Sequence, residues 1–392
     1  MAFSMTWAGA DEEGSQGREE RELLAGFRSE FYRCLTRRAD ALCGLADAVL
    51  CEDRRAGDLA HLSLVPEFGR GHGALYDGLN AGRVDVGRLR RAIAGLRLPA
   101  WPDGRIRLAA DVTCWLRPDA VTSPGRMFCH VRGKGKNAGQ VIAGWPYSFV
   151  AALGPGASSW TLLLDAVRIG PDDDETDLAA AQLREVAGRL IAAGHWKPGD
   201  PDILVVLDSG YCPARLAWLL ADLPVLVVAR VRAARVFYGR PVPPGAPAAP
   251  GRPARHGTRV CCAVPATWAG AAVTAAAHSP RYGLLAVTAW HRVHQKLDRR
   301  SAGWQDHHGE LPVIEGTLVR LAAVRPAAGR QPLEPMWLWS PDPRGRPQDV
   351  AMLWQAYLRR FDLERGKPDC CHKRVRSSSS GLPSVSELVL TA

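Results

Sequence analysis

The chain has 392 residues, which is enough for a sizeable core and two or three structural units, so a peptide-scale or single small-domain protein is excluded. No apolar stretch reaches the roughly 18 residues of a membrane span, and the polar, acidic start through Glu20 is unlike a signal peptide. A formal charge of +10 and a pI near 9.3 point to a polyanionic partner. Arginine carries that charge almost alone, because lysine occurs only at 134, 136, 197, 296, 367 and 373. Phosphate-binding forks and a coding bias toward Arg, Ala, Gly and Pro codons would both give this excess.

Residues 1–17 are expected to be a disordered tail and 18–102 a helical domain. Over 21–46, Leu23, Leu24, Phe27, Phe31, Leu35, Leu42 and Leu45 recur at close to helical spacing. Gly69 to Gly73 punctuate the chain before a short helix over 74–79. A further amphipathic stretch over 84–96 should expose Arg88, Arg90 and Arg91. Both a helix laid in a DNA groove and a plain helical cap fit these residues.

From Ile106 the pattern changes to strands. The run from Arg105 opens on alternation, turns apolar and ends at Asp111, leading into a hairpin-like segment through 127–131. Strands over 140–153 and 160–169 follow, then a helix over 176–193. The acidic run Asp172 to Glu175 reads as the cap and dipole partner of that helix. Ile203 to Leu207 form a five-residue apolar run of the kind buried on both sheet faces, and Asp208 closes it. A helix over 213–220 and a strand over 225–231 complete a β-β-β-α-β-α-β order, which predicts an α/β, ribonuclease-H-like mixed-sheet core over 103–237 and 341–366.

Residues 241–253 are rich in Pro, Gly and Ala and predict a loop. Short strand-like runs at 283–288 and 311–321 make 238–340 a loop plus a β-rich insertion before the last helix of the core. That helix spans 350–364 and places Tyr357, Arg360 and Glu364 on one stripe. Taken alone, the stripe also fits a surface helix with an i,i+4 ion pair worth a few tenths of a kcal/mol.

Tyr357, Arg360 and Glu364 match the Y-(2)-R-(3)-E signature of a large group of bacterial insertion-sequence transposases. Asp111-Val112-Thr113, the basic stretch 133–140, Leu207 to Tyr211, 251–257 and Trp290 to His294 are also similar to that group. Over roughly residues 20–365 the chain therefore resembles a transposase of the DDE endonuclease superfamily. The resemblance implies metal-dependent DNA cleavage and strand transfer, with Asp111, Asp208 and Glu364 as catalytic ligands of two Mg²⁺ (or Mn²⁺) ions. Three carboxylates in one site repel one another, and a cation relieves that. Tyr357 and Arg360 would contact phosphates of the transposon end. Lys134 and Lys136 would touch the DNA backbone or form a solvated polar turn.

The implied partners are double-stranded DNA (terminal repeats and target) and a second copy in the DNA complex. The implied location is the bacterial cytoplasm, at the nucleoid. A nuclease that never performs strand transfer and a non-catalytic DNA-binding remnant are the alternative readings.

The family pattern expects a lysine seven positions after the glutamate, where this chain has Cys371. Gly366 and Pro368 predict an early helix stop, so 367–392 is expected to be a divergent, disordered tail left by truncation or a frame shift. On that expectation the protein is weak or inactive as a transposase. Cys370-Cys371-His372 lacks a fourth spaced zinc ligand. The cysteines form no C-x-x-C pair, and the vicinal pairs Cys261-Cys262 and Cys370-Cys371 are expected to be reduced thiols. His291 and His294 read as packing or DNA-backbone residues, and the 133–140 stretch lacks P-loop spacing.

Overall fold

The computed structural model describes residues 9–52, 59–131, 140–155, 161–241, 254–300, 303–329 and 332–366. They belong to two compact units, one ending at Leu96 and one starting at Arg97. Lys134, Lys136 and the Cys370-Cys371-His372 cluster lie outside the described residues.

The first unit runs α1 (Gly9–Cys34), β1 (Leu35–Arg37), α2 (Ala39–Cys51), α3 (Leu59–Leu62), α4 (His72–Ala81), β2 (Arg83–Val84) and α5 (Val86–Ala94). Helix α1 already begins at Gly9, inside the stretch expected to be a tail. The helical spacing over 21–46 is interrupted between α1 and α2. Arg38 adopts a left-handed conformation (φ 56°), and Leu35–Arg37 pair with β2 instead of continuing the helical ladder. Spacing hid the break because apolar residues recur on both sides of it.

Leu23 and Leu24, expected on the buried stripe, are each 61% exposed. The core of this unit is formed by Leu45, Ala48, Leu59, Leu62, Phe68 and Leu75. Arg91 is exposed as expected, whereas Arg88 turns back to Glu30 at 2.6 Å and ties α5 to α1.

The second unit opens with β3 (Arg107–Leu116), β4 (Met127–Val131), β5 (Gln140–Leu153), β6 (Thr161–Arg168) and α6 (Glu175–Ala192). Next come β7 (Ile203–Leu207), α7 (Pro213–Leu219) and β8 (Val225–Val231). Strand β5 pairs antiparallel with β3 and β6, and β3, β7 and β8 run parallel. The spatial order β6-β5-β3-β7-β8, with helices packed on it, is the ribonuclease-H-like arrangement. Strand β4 is a hairpin extension on the opening half of β5.

Past the core come β9 (Val236–Tyr238), β10 (Arg259–Cys261), β11 (Val273–Ser279), β12 (Gly283–Gln295), β13 (Gly316–Arg325) and β14 (Met336–Ser340). The insertion is not a separate sheet. Strand β14 pairs antiparallel with β8, so β14-β13-β12 extend the core into one 12-stranded sheet. Helix α8 (Pro347–Gly366) then returns to the core.

Alternation along the strands decides what meets α8. Ala109, Leu204, Val206 and Val228 of the sheet share a core with Val350, Leu353, Trp354, Ala356 and Tyr357 of α8. Val205 and Leu207 point to the opposite face by period and are equally buried. Both faces of β7 are covered, as its unbroken apolar run requires.

Candidate active site

Parallel pairing brings Asp111 and Asp208 together. Ala109 is in register with Val206 and Ala110 with Leu207, so the next residue on each chain is an aspartate. Asp111 follows the parity of Ala109 and Asp208 that of Val206, so both belong to the face covered by α8. Their side chains are 15% and 28% exposed, at the carboxyl end of two parallel strands, where α/β sheets place their ligands.

The turn after Asp208 is held from outside. The backbone N–H of Cys212 donates to Thr176 Oγ1 at 3.2 Å, which ties this turn to the start of α6. That start is capped by Asp174, whose side chain accepts from the N–H groups of Thr176 and Asp177. The acidic run thus contains the helix cap expected of it. Burial pushes the neighbouring Glu175 carboxyl up, with Asp174 adding and His130 opposing.

Helix α8 delivers the other side of the site. Tyr357 and Arg360 are three residues apart and share a helix face. The Tyr357 hydroxyl donates to Asp208 Oδ1 at 3.4 Å. The Arg360 guanidinium reaches both aspartates, with Nη1 at 3.4 Å from Asp111 Oδ2 and Nη2 at 3.8 Å from Asp208 Oδ2. Asp111 Oδ1 accepts from the N–H of Val112 at 3.0 Å. Each carboxylate thus has its Oδ1 on a neutral donor and its Oδ2 toward one shared cation.

Tyr357 is fully buried and Arg360 is 2% exposed, so both face the carboxylates and not solvent. Burial pushes the Tyr357 hydroxyl up to about 12, against Arg360 and with a contribution from Asp208. It is a neutral donor at physiological pH. Glu364 lies four residues past Arg360 on the backbone of α8, and its side chain is outside the described set.

Tyr211, the last residue of the family-like stretch from Leu207, is given no role of its own by the sequence and is buried three positions past Asp208. Burial raises its hydroxyl, with Asp111 adding to the effect. Nearby, Ser148 and Gln182 exchange two hydrogen bonds, of 2.6 and 3.2 Å, between β5 and α6. A Ser in a strand carries no periodic signal, so only its pairing with Gln182 reveals it.

His256, His291 and His294 of the insertion are packed. His294 Nε2 and His256 Nδ1 are 2.8 Å apart, and His291 Nδ1 is 3.1 Å from Thr317 Oγ1. Cys261 and Cys262 are free and buried. Among the described residues no three His, Cys, Asp or Glu side chains cluster to hold a metal ion, and no helix is long and apolar enough to cross a membrane.

The aspartate pair nonetheless fits a hard divalent ion on its own chemistry. It offers carboxylate oxygens that converge on a position already occupied by positive charge. No curated protein matches the chain. The family model for the DDE superfamily endonucleases matches residues 30–297, a stretch that contains Asp111 and Asp208 and stops before α8. With that match over more than half its length, on a ribonuclease-H-like core with two aspartates side by side, the chain belongs to the DDE superfamily endonucleases.

Proposed function

We propose that this protein is a DNA transposase that cuts the ends of a mobile element and joins them to a target by metal-dependent phosphoryl transfer. Asp111, Asp208 and Glu364 are its catalytic carboxylates. The observation that carries this reading is the convergence of Asp111 Oδ2 and Asp208 Oδ2 on one cationic position under α8. That helix also carries Glu364, one turn beyond the residue that fills the position.

The roles divide by location. Asp111 and Asp208, fixed by strand pairing and by their Oδ1 hydrogen bonds, present hard oxygen donors. Glu364 adds a third from the helix. When bound there, Mg²⁺ or Mn²⁺, as two ions, supplies Lewis-acid stabilisation of the attacking and leaving oxygens of a phosphodiester. The +10 charge of the chain attracts the DNA. Lys134 and Lys136 contact its backbone, and two copies act on paired transposon ends.

The test uses the full chain with oligonucleotides that carry the terminal repeats flanking its own gene, in Mg²⁺ or Mn²⁺. The expected products are nicked ends and joined donor–target molecules, formed more weakly than by a copy with a repaired C-terminus. Asp111→Asn, Asp208→Asn and Glu364→Gln should each lower nicking by about a thousandfold or more. Nicked ends without joined product would make the protein a nuclease only. Salt-sensitive binding that survives Asp111→Asn and Asp208→Asn, without cleavage in any metal, would make it a DNA-binding protein without catalysis.

A further inference from the structure

The Arg360 guanidinium faces the Oδ2 atoms of both Asp111 and Asp208. Each aspartate has given its Oδ1 to a neutral donor, the Val112 N–H or the Tyr357 hydroxyl. The two remaining Oδ2 atoms face Nη1 and Nη2 of the same side chain. Without some positive charge, two half-buried carboxylates facing one position would repel each other. Arg360 cannot relieve the repulsion by losing a proton, because guanidinium stays charged in proteins. Its contacts of 3.4 and 3.8 Å are looser than the roughly 2.7–2.9 Å of a tight charge-assisted pair, so the aspartates hold it without a bidentate lock.

We propose that Arg360 is the resident counter-cation of the Asp111–Asp208 pair, and that its guanidinium competes with divalent metal for the two Oδ2 atoms. Arg360 is then a positioning residue. It holds the carboxylates side by side before metal arrives, and it must release the two Oδ2 atoms for Asp111 and Asp208 to hold a metal. A withdrawn guanidinium is free to meet a phosphate, so metal and DNA engage the site together. This inference rests on the assignment of Asp111 and Asp208 as metal ligands.

The experiment measures Mn²⁺ binding to the full chain without DNA, by electron paramagnetic resonance of free Mn²⁺ and by calorimetry. Arg360→Gln removes the competing charge and should tighten Mn²⁺ binding about tenfold or more. Arg360→Met repeats the test with similar bulk should the glutamine variant fail to fold, as judged by circular dichroism. Arg360→Lys keeps a cation there and should stay within about threefold of the native protein.

Unchanged or weaker Mn²⁺ binding in the folded, uncharged variants overturns the competition. In that case loss of binding in Asp111→Asn/Asp208→Asn would still uphold the ligand assignment. Mn²⁺ binding that is indifferent to the double aspartate substitution overturns the ligand assignment itself.

Discussion

Tyr357 donates its hydroxyl to Asp208 across a sequence separation of 149 residues, joining the last helix to the end of a core strand. The phenol is buried and its ionisation is pushed up to about 12, so Tyr357 stays a neutral donor to the Asp208 carboxylate. Replacing Tyr357 with Phe keeps the ring packing and removes the donor. Metal-dependent nicking should fall about fivefold, the value of roughly 1 kcal/mol for one hydrogen bond. Single-turnover nicking measures it, and an unchanged rate would show that Asp208 is positioned without Tyr357.

The same residue predicts an alkaline limit. The folded state favours the neutral phenol, so its contribution is complete below the ordinary tyrosine value near 10. That contribution is lost as pH rises through about 12. Urea denaturation between pH 9 and 12 should show stability falling across this window, less steeply in Tyr357→Phe. Equal slopes would assign the loss to other groups.

Arg189 of α6 and Asp165 of β6 form a buried ion pair at 2.7 Å, with side chains 15% and 1% exposed. Asp165→Ala leaves a largely buried guanidinium with only the longer contact to Glu185 among its ion pairs here. The loss of stability should be about 3–5 kcal/mol by urea denaturation. A cost below about 1 kcal/mol would mean that solvent reaches Arg189 once the partner is gone.

The His256–His294 pair makes the insertion acid-sensitive. Burial lowers both imidazoles below the ordinary histidine range, and the cations Lys296 and Arg255 oppose protonation of His256. Glu315 pulls the other way on His294. Because the folded state favours the neutral rings, their stabilisation is present above about pH 6.5 and is lost as pH falls below it. Tm should drop between pH 7 and 5, and His256→Gln should flatten that drop. A Tm that rises on acidification would contradict the sign.

Gly345 leads the chain into α8 with φ of 39°, and a Cβ there would lie 2.2 Å from His291 Nδ1 and 2.6 Å from Thr317 Oγ1. Gly345→Ala must therefore displace the ring that bonds Thr317 or tilt the start of the helix. A loss of about 1–3 kcal/mol is expected in thermal or urea denaturation. Gly329, with a similar positive φ and nothing within 4 Å, serves as the control for backbone strain alone. Equal costs at the two glycines would remove the steric argument.

Much of this protein could be read along the chain, because periodicity and strand ends are local properties. The apolar run before Asp208 marked a strand covered on both faces, and β7 is buried throughout. The stripe of Tyr357, Arg360 and Glu364 follows from helical geometry alone. Local pattern failed where long-range pairing competes with it. Leu35 to Arg37 fit a helical period, yet β2, nearly fifty residues later, draws them into a sheet. The insertion reads as separate strands, but β14 adds to β8 and makes one sheet of core and insertion. Burial of Tyr357 and Arg360 follows from the face of α8 that Ala109, Leu204 and Val206 cover, and no spacing along the helix encodes that choice. The meeting of Asp111 with Asp208 likewise depends on parallel register between two strands almost a hundred residues apart. Hydrogen bonds between distant backbones set that register, and they form only when the whole sheet does.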